Sequence, residues 1–454
     1  MISTLNKLRA IILFGATVAK LLFAVSESEA GEPFRLSLDD AVSQALEHNA
    51  DMKAARVDLQ IAERQIWETT AAGLPQLSAS VGYNYFLDIP TSLVPAEFFG
   101  GEPGDFQEIQ FGTQHNITAT ASVEQLIFDG QYIVGLRAAR IYRDLASQTL
   151  QRSGIEISNA VRETYFLALL ARENLRIVKQ NLQNMEQTLY ETQKMLEEGF
   201  TDPINADQLQ LSVSNMKHHI AHLERQKKLT ENLLKYQLGI DMSLSIDLTD
   251  SLEGLFDEAL IDMATIPALE KDDHIDYRMA RSQEAMSMMV LRREQSAYLP
   301  SLSASFVRQE IAMRDAFNFF DSDRSWFPAT YFALNLNIPI FSSGMRSSQV
   351  QQARLELEKA QIAREQLSEV LILQMEEAKA DLETAYEQYL NEKGSLEIAQ
   401  RIFDRTGIMY REGMASSLEL TQANDQLLAT RANYLNAKFE VLNARNNIYK
   451  AIGR

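Results

Sequence analysis

The 454 residues contain no cysteine. That excludes disulfides, thiolate-ligated zinc, iron–sulfur clusters, cysteine nucleophiles and a cysteine-linked lipid anchor. Only six histidines remain as imidazole ligands. Glycine (19) and proline (10) are scarce, roughly half their usual share, so few positions can punctuate short elements and long uninterrupted helices are expected. Beyond the first thirty residues no window approaches the ~18 consecutive apolar residues of a transmembrane helix; the best, 166–171 and 370–373, are short. A chain of this kind that spans a membrane must do so as a barrel. Basic residues are outnumbered 43 to 62, a net charge of −19. This charge opposes the phosphate neutralisation on which non-specific nucleic-acid binding depends, so nucleic acid is excluded as a partner. It also predicts an anionic surface or lumen that favours cations. Apolar residues make up 46%, which excludes global disorder.

The first thirty residues carry Lys7 and Arg9, an apolar stretch over 10–25 interrupted by Lys20, and Ser28-Glu29-Ala30 before Gly31. This is the pattern of a secretory signal, with cleavage expected after Ala30. The remainder repeats itself. Leu74-Pro-Gln-Leu-Ser-Ala-Ser80 recurs as Leu299-Pro-Ser-Leu-Ser-Ala-Ser305, and Asp51, Ala55 and Arg56 recur as Asp276, Ala280 and Arg281, all displaced by 225. Further on, Gly130 matches Gly344, Glu198-Gly199 matches Glu412-Gly413 and Gly239 matches Gly453, displaced by 214. The organisation read from this is a signal segment 1–30, a first repeat 31–239, an acidic linker or belt 240–268 and a second repeat 269–454. The linker holds Asp247, Asp250, Glu253, Asp257, Glu258 and Asp262.

Each repeat reads as a short helix, a strand, a loop, a strand, a very long helix, a turn and a long helix. Ala423, Leu427, Thr430, Tyr434, Ala437, Val441, Ala444 and Ile448 step by alternating fours and threes, the spacing of a coiled-coil seam. Leu209, Val213, Met216, Ile220, Leu223, Lys227, Thr230 and Leu234 keep the same register in the first repeat. At ~1.5 Å per residue the segments 131–198 and 345–412 would each run about 100 Å.

Four stretches alternate with period two. Leu77, Ala79, Val81, Tyr83 and Tyr85 oppose Gln76, Ser78, Ser80, Gly82 and Asn84, and Ile117, Ala119, Ala121 and Val123 oppose their polar neighbours. Leu302, Ala304 and Phe306, then Phe332, Leu334, Leu336 and Ile338, repeat the arrangement. Strands with one apolar and one polar face suit a wall between lipid and water, though a soluble sandwich would look similar. Four strands cannot close a membrane barrel, whose smallest forms have about eight, so a barrel must be shared between chains. Three copies give about twelve strands, two give about eight and too narrow a conduit. The expected fold class is mainly α with a β-barrel part: duplicated coiled-coil helices and four strands per chain, assembled as a homotrimer. The loops 88–113 and 309–330 hold Phe98, Phe99, Phe111, Phe317, Phe319, Phe320, Trp326 and Phe327. These rings suit a membrane rim or the packing of each loop on its neighbour.

From Leu36 to Gly453 the chain resembles the outer-membrane efflux protein family, the TolC-like trimeric channel-tunnels. The resemblance is carried by the duplicated Leu-Pro-x-Leu-Ser-Ala-Ser, by Ile127-Phe128-Asp129-Gly130 and Ile340-Phe341-Ser342-Ser343-Gly344, and by Glu-Gly-Phe-Thr and Glu-Gly-Met-Ala at the helical turns. It implies a twelve-stranded barrel in the outer membrane of a Gram-negative bacterium, in contact with outer-membrane lipid, and a twelve-helix periplasmic tunnel. It also implies a periplasmic membrane-fusion adaptor at the tunnel tip and a proton- or ATP-driven inner-membrane pump, in drug or metal efflux or type I secretion. Substrates then pass without chemistry, no cofactor is needed and the chain is not an enzyme. The adaptor-docking turns implied here are Gly199, Phe200, Thr201 and Gly413, Met414, Ala415, Ser416; the same glycines also serve to end one helix before the next begins. The gate tyrosine position is Tyr410 and an acidic ring position is Glu419, which reads otherwise as a solvated helix carboxylate. The sequence departs from the family at Ala415, Asn205 and Gln422, so a different bond network is expected to hold the gate, with Arg411, Asp202 and Asp207 as candidates.

Other chemistry fails on its own requirements. His218 and His222 have the i, i+4 spacing of a zinc site, but the middle glutamate of the metalloprotease motif is absent, and solvated or groove-lining histidines are expected. Residues 130–135 have phosphate-loop spacing, but Leu136-Arg137 stands where Lys-Ser/Thr is required. Asp321-Ser-Asp323 lacks the glycine and later glutamate of a calcium loop. The competing reading is a periplasmic coiled-coil scaffold or adaptor without a barrel.

Overall fold

The computed structural model describes residues 34–256, 266 and 268–453. The signal segment and the linker carboxylates Asp257, Glu258 and Asp262 lie outside the described residues. In chain order the elements are β1 (Phe34–Leu36), α1 (Leu38–His48), α2 (Ala50–Ala71), β2 (Gln76–Tyr85), β3 (Thr91–Pro95), β4 (Phe106–Gln110), β5 (His115–Phe128), α3 (Gly130–Glu197) and α4 (Pro203–Leu238). They continue as β6 (Ile246–Leu248), the single turn α5 (Leu252–Leu255), α6 (Ile275–Ser296), β7 (Ser301–Arg314), β8 (Phe327–Asn337), α7 (Met345–Arg411) and α8 (Ser417–Ala451). α3 and α7 fall within one residue of the segments 131–198 and 345–412 expected to be helical. No helix among the described residues is long and apolar enough to cross a membrane.

Two compact units emerge, and each draws on both repeats. One takes the described parts of Ala50–Asn159, Ile261–Tyr386 and Ala444–Arg454. Its centre is an antiparallel sheet in the order β2-β5-β7-β8. The register places Leu77, Val123, Phe306 and Phe332 in one row across all four strands, and Ser78, Ser122, Val307 and Tyr331 in the next. Alternate rows therefore build the apolar and polar faces that period-two patterning predicts. Within the chain the apolar face is uncovered: Leu77 is 78% exposed, Val81 72%, Phe332 64% and Leu334 60%. The face also carries Arg308 and Glu310, paired at 2.6 Å.

Two loop expectations need correction. The first loop contains a hairpin of its own, β3 paired antiparallel with β4. The second shrinks to 315–326, because β7 runs on to Arg314 and β8 starts at Phe327. Phe317 and Phe319 pack edge-on against Tyr83 at 5.7 and 6.3 Å, and Phe319 is buried, whereas Phe98, Phe99 and Phe111 stand exposed.

The second unit takes the described parts of Met1–Asn49, Ala160–Leu260 and Glu387–Asn443. Its core is the expected seam. Leu209, Val213 and Met216 of α4 meet Met185 and Leu189 of α3, and Ile220 and Leu223 meet Leu175 and Val178. β1 and β6 pair in parallel, Phe34 opposite Ile246. Ser37 starts α1 with a capping box, its side chain accepting from Asp40 N while Asp40 accepts from Ser37 N at 3.2 Å.

Candidate functional site

The two hairpin turns close by the same hydrogen bonds. Phe200 N donates to Met195 O at 2.8 Å and Gly199 N to Leu196 O at 3.0 Å; Met414 N donates to Met409 O at 2.8 Å and Gly413 N to Tyr410 O at 3.0 Å. This is the left-handed helix ending in which the 6→1 and 5→2 bonds satisfy the last carbonyls. Gly199 and Gly413 sit at φ +77° and +70°, and nothing lies within 4 Å of where a Cβ would be. Backbone conformation, not crowding, therefore selects glycine at both. Beyond the glycines, Phe200 is 78% and Met414 65% exposed; Ser416 is exposed, while Thr201 and Ala415 are half-buried.

The following helices start with side-chain caps. Asp202 accepts from Ile204 N at 2.9 Å and Pro203 takes the first helical position. Ser416 and Glu419 form a reciprocal box: Glu419 Oε2 accepts from Ser416 N at 2.7 Å and Glu419 N donates to Ser416 Oγ at 3.2 Å. The Ser416 N–H first, and its hydroxyl second, hold the Glu419 carboxyl below the usual range. The motif Ser416-x-x-Glu419 was readable as this cap. Within one chain both carboxylates thus have local partners.

The bonds that join the two turns come from elsewhere. Ser417, fully buried, places its hydroxyl 2.8 Å from Asn205 Oδ1 and 2.5 Å from Gln208 Oε1. Asn205 also donates to Thr201 Oγ1 at 3.1 Å. Tyr410 shares a 2.7 Å hydrogen bond with Thr192 Oγ1 and packs on the Met185–Leu189 cluster. Higher up, Asn181 Nδ2 donates to Asn424 Oδ1 at 2.8 Å, both buried. Ser417, Gln208, Thr192 and the Asn181–Asn424 pair carry no local motif, and sequence reasoning missed them. Of the expected gate residues the structure brings Tyr410 and Asn205 into contact with the opposite hairpin. Asp207 and Arg411 stand exposed with no ion pair to the other hairpin among the described residues.

A groove of about 300 Å³ runs between α4 and α8 beside the turns, lined by Leu211, Asn215, His219, Leu418, Asp425 and Leu428 among others. Burial pushes the Asp425 carboxyl up. His218, His219 and His222 are all exposed, the last two with ring centroids 6.5 Å apart. The arrangement offers mechanical contacts between the two hairpins and an exposed surface at Phe200 and Met414.

Comparison with known proteins fits this geometry. The outer membrane efflux protein family matches residues 41–240 and 277–454. The probable outer membrane lipoprotein SilC of Salmonella typhimurium is 22% identical, across 91% of this chain and 84% of that protein. The cation efflux system protein CusC of Escherichia coli O157:H7 is 23% identical, across 91% and 85%. A crystal structure of CusC superposes with a TM-score of 0.72 at 18% identity, covering 95% of this chain and 96% of the other. With matches over most of both repeats, the chain belongs to the outer membrane efflux protein family.

Proposed function

We propose that three copies of this chain form the outer-membrane exit duct of a tripartite efflux or type I secretion system. The observation that carries this is the open sheet: β2 and β8 are edge strands beside a largely uncovered apolar face. In lipid each unpaired backbone group costs several kcal/mol, so the edges must be sealed. β2 and β8 run in opposite directions, so β8 of one copy can continue the antiparallel alternation into β2 of the next. Three copies close a wall of about twelve strands with the apolar rows facing lipid and the serine, threonine and asparagine rows facing water.

The turns at Gly199 to Thr201 and Gly413 to Ser416 are the docking surface for a periplasmic adaptor, and the groove along α4 and α8 extends it. An inner-membrane pump, driven by protons or ATP, supplies energy and selects cargo. The duct conducts without a catalytic step. Tyr410, Asn205 and Ser417 hold the closed state, and three copies of Glu419 near a common axis favour cations at the constriction. The repeats 31–239 and 269–454, joined by the linker 240–268, supply equivalent hairpins to a pseudo-sixfold ring.

Outer-membrane fractions run boiled and unboiled on a denaturing gel test the duct. A heat-modifiable oligomer that sediments with the outer membrane supports it; a soluble periplasmic monomer overturns it in favour of a scaffold without a barrel.

A further inference from the structure

Residues 246–256 of the linker grip helices from both hairpins of their unit. On one side it holds α3. The Tyr165 hydroxyl, fully buried, lies 2.9 Å from both Asp250 Oδ2 and the Leu36 carbonyl. Arg172 donates to the Leu248 carbonyl at 2.5 Å and also to the Asp250 carbonyl. Asp250 Oδ2 accepts in addition from Leu38 N at 2.8 Å, at the start of α1. Burial first, and the Asp250 carboxylate second, push the Tyr165 phenol far above its ordinary range, so it stays a neutral donor.

On the other side the same segment holds α7 and α8. Lys438 is 1% exposed, and its ammonium pairs with the Glu253 carboxylate. It also lies 5.0 Å from the Phe256 ring centroid and 4.9 Å from that of Tyr434. Phe256 in turn packs on Tyr389 of α7 at 4.6 Å. A lysine with so little solvent is stable only while its charge is matched, and the Glu253 carboxylate, two ring faces and the field of the nearby Glu173 carboxylate on α3 do that. Glu253 keeps most of its side chain in water, so the carboxylate can leave at little cost to itself.

We propose that 246–256 is a strap that fixes α3 to the α7–α8 hairpin, and that release of Lys438 from Glu253 and Phe256, added to loss of the contacts nearer the tips, is a step toward parting of the hairpins. Its anchor on α3 stays, because Tyr165 and Arg172 bind backbone and the Asp250 hub; its anchor on α8 is one ion pair and one aromatic contact. The role in conduction rests on the reading that parting of the tips opens the duct; the strap itself does not.

The absence of cysteine allows paired spin labels at exposed Tyr190 of α3 and Ile408 of α7 in the detergent-purified full-length protein. Glu253→Gln leaves Lys438 in place with a neutral partner, and Lys438→Met keeps the volume without the charge. Both should add a longer-distance population absent from the parent, and Lys438→Arg should restore most of the parent distribution. Planar-bilayer conductance of Glu253→Gln should rise about tenfold, the factor that about 1.4 kcal/mol commands. Unchanged distances in both Glu253→Gln and Lys438→Met, with the folded oligomer retained, would overturn the strap. Longer distances without added conductance would uphold the strap and overturn the gate reading instead.

Discussion

Asn49 and His274 occupy the same place in the two repeats, and each holds the end of a long helix. Asn49 Nδ2 donates to Gln237 O at 2.7 Å, next to Gly239. His274 hydrogen-bonds the Lys450 backbone and lies against Gly453, where an added Cβ would meet its ring at 3.0 Å. Gly239 and Gly453 both take positive φ, +66° and +75°, and a close approach in both repeats leaves no room for a side chain. The first repeat thus uses a permanently neutral amide where the second uses a titratable ring.

That difference predicts a pH dependence. His274 Nδ1 accepts from Asp276 N at 3.2 Å, which requires an unprotonated nitrogen. Burial lowers its pKa, against the opposing pull of Asp276, whose carboxylate Arg152 also holds at 3.1 Å. Glu156 and Lys450 border the same pocket. A depressed folded pKa for a base means that the unfolded chain binds the proton first as pH falls. Stability is therefore whole above the unfolded value of about 6.5 and is lost below it, down to the folded pKa. Thermal unfolding of the wild-type protein should soften between pH 7.5 and 5, and His274→Asn, which copies the first repeat, should flatten that slope.

The Ser417 contacts at the turns give a second expectation. Ser417→Ala removes the hydroxyl between Asn205 Oδ1 and Gln208 Oε1 and leaves Asn205 Oδ1 with the Ser417 N–H at 3.3 Å, at a cost of about 1–3 kcal/mol. Tyr410→Phe removes one hydrogen bond, worth about 1 kcal/mol. Single-channel recordings should show longer open times for both, and for the double variant longer still. Open times equal to wild type in the double variant would assign these contacts to folding alone.

Single cysteines at Thr201 and Ala415, coupled in intact cells with a thiol-to-amine reagent, test the docking surface. The expected product is a periplasmic adaptor identified by mass spectrometry. Products between copies of this chain alone, with control positions silent, would place docking elsewhere.

The sheet faces can be told apart by charge. Val81→Arg puts a cation on the lipid side, where such substitutions cost about 2–4 kcal/mol at the bilayer midplane, whereas Ser80→Arg faces water. Outer-membrane yield should fall sharply for the first and stay near wild type for the second.

Much of this architecture was legible because it is periodic. Heptad spacing at Leu209 to Leu234 reports which side of a helix is buried, period two at Leu77 to Tyr85 reports which side of a strand is apolar, and duplication supplied a second reading of both. What escaped depends on partners distant in sequence. Ser417 meets Asn205 across 212 residues, Phe34 pairs with Ile246, and Lys438 reaches Glu253 across 185. A lone serine or lysine in a helix is ordinarily a solvated one, so nothing local marks these. The β3–β4 hairpin escaped for another reason: its strands are five residues each and interrupted by turn formers, too short for alternation to stand out. Glu419 reads as an acidic ring position or a solvated carboxylate; the Ser416-x-x-Glu419 cap it forms within the chain escaped that reading, although the motif is local.

The claim on which the rest depends is closure of the sheet by other copies. Native mass spectrometry of the protein extracted from outer membranes into mild detergent counts them directly. Three chains per particle, stable until detergent or heat denatures the strands, is the predicted result. A particle of one chain that stays folded and soluble without detergent would contradict it, because its apolar strand face and two open edges would then have no need of lipid or of a neighbour.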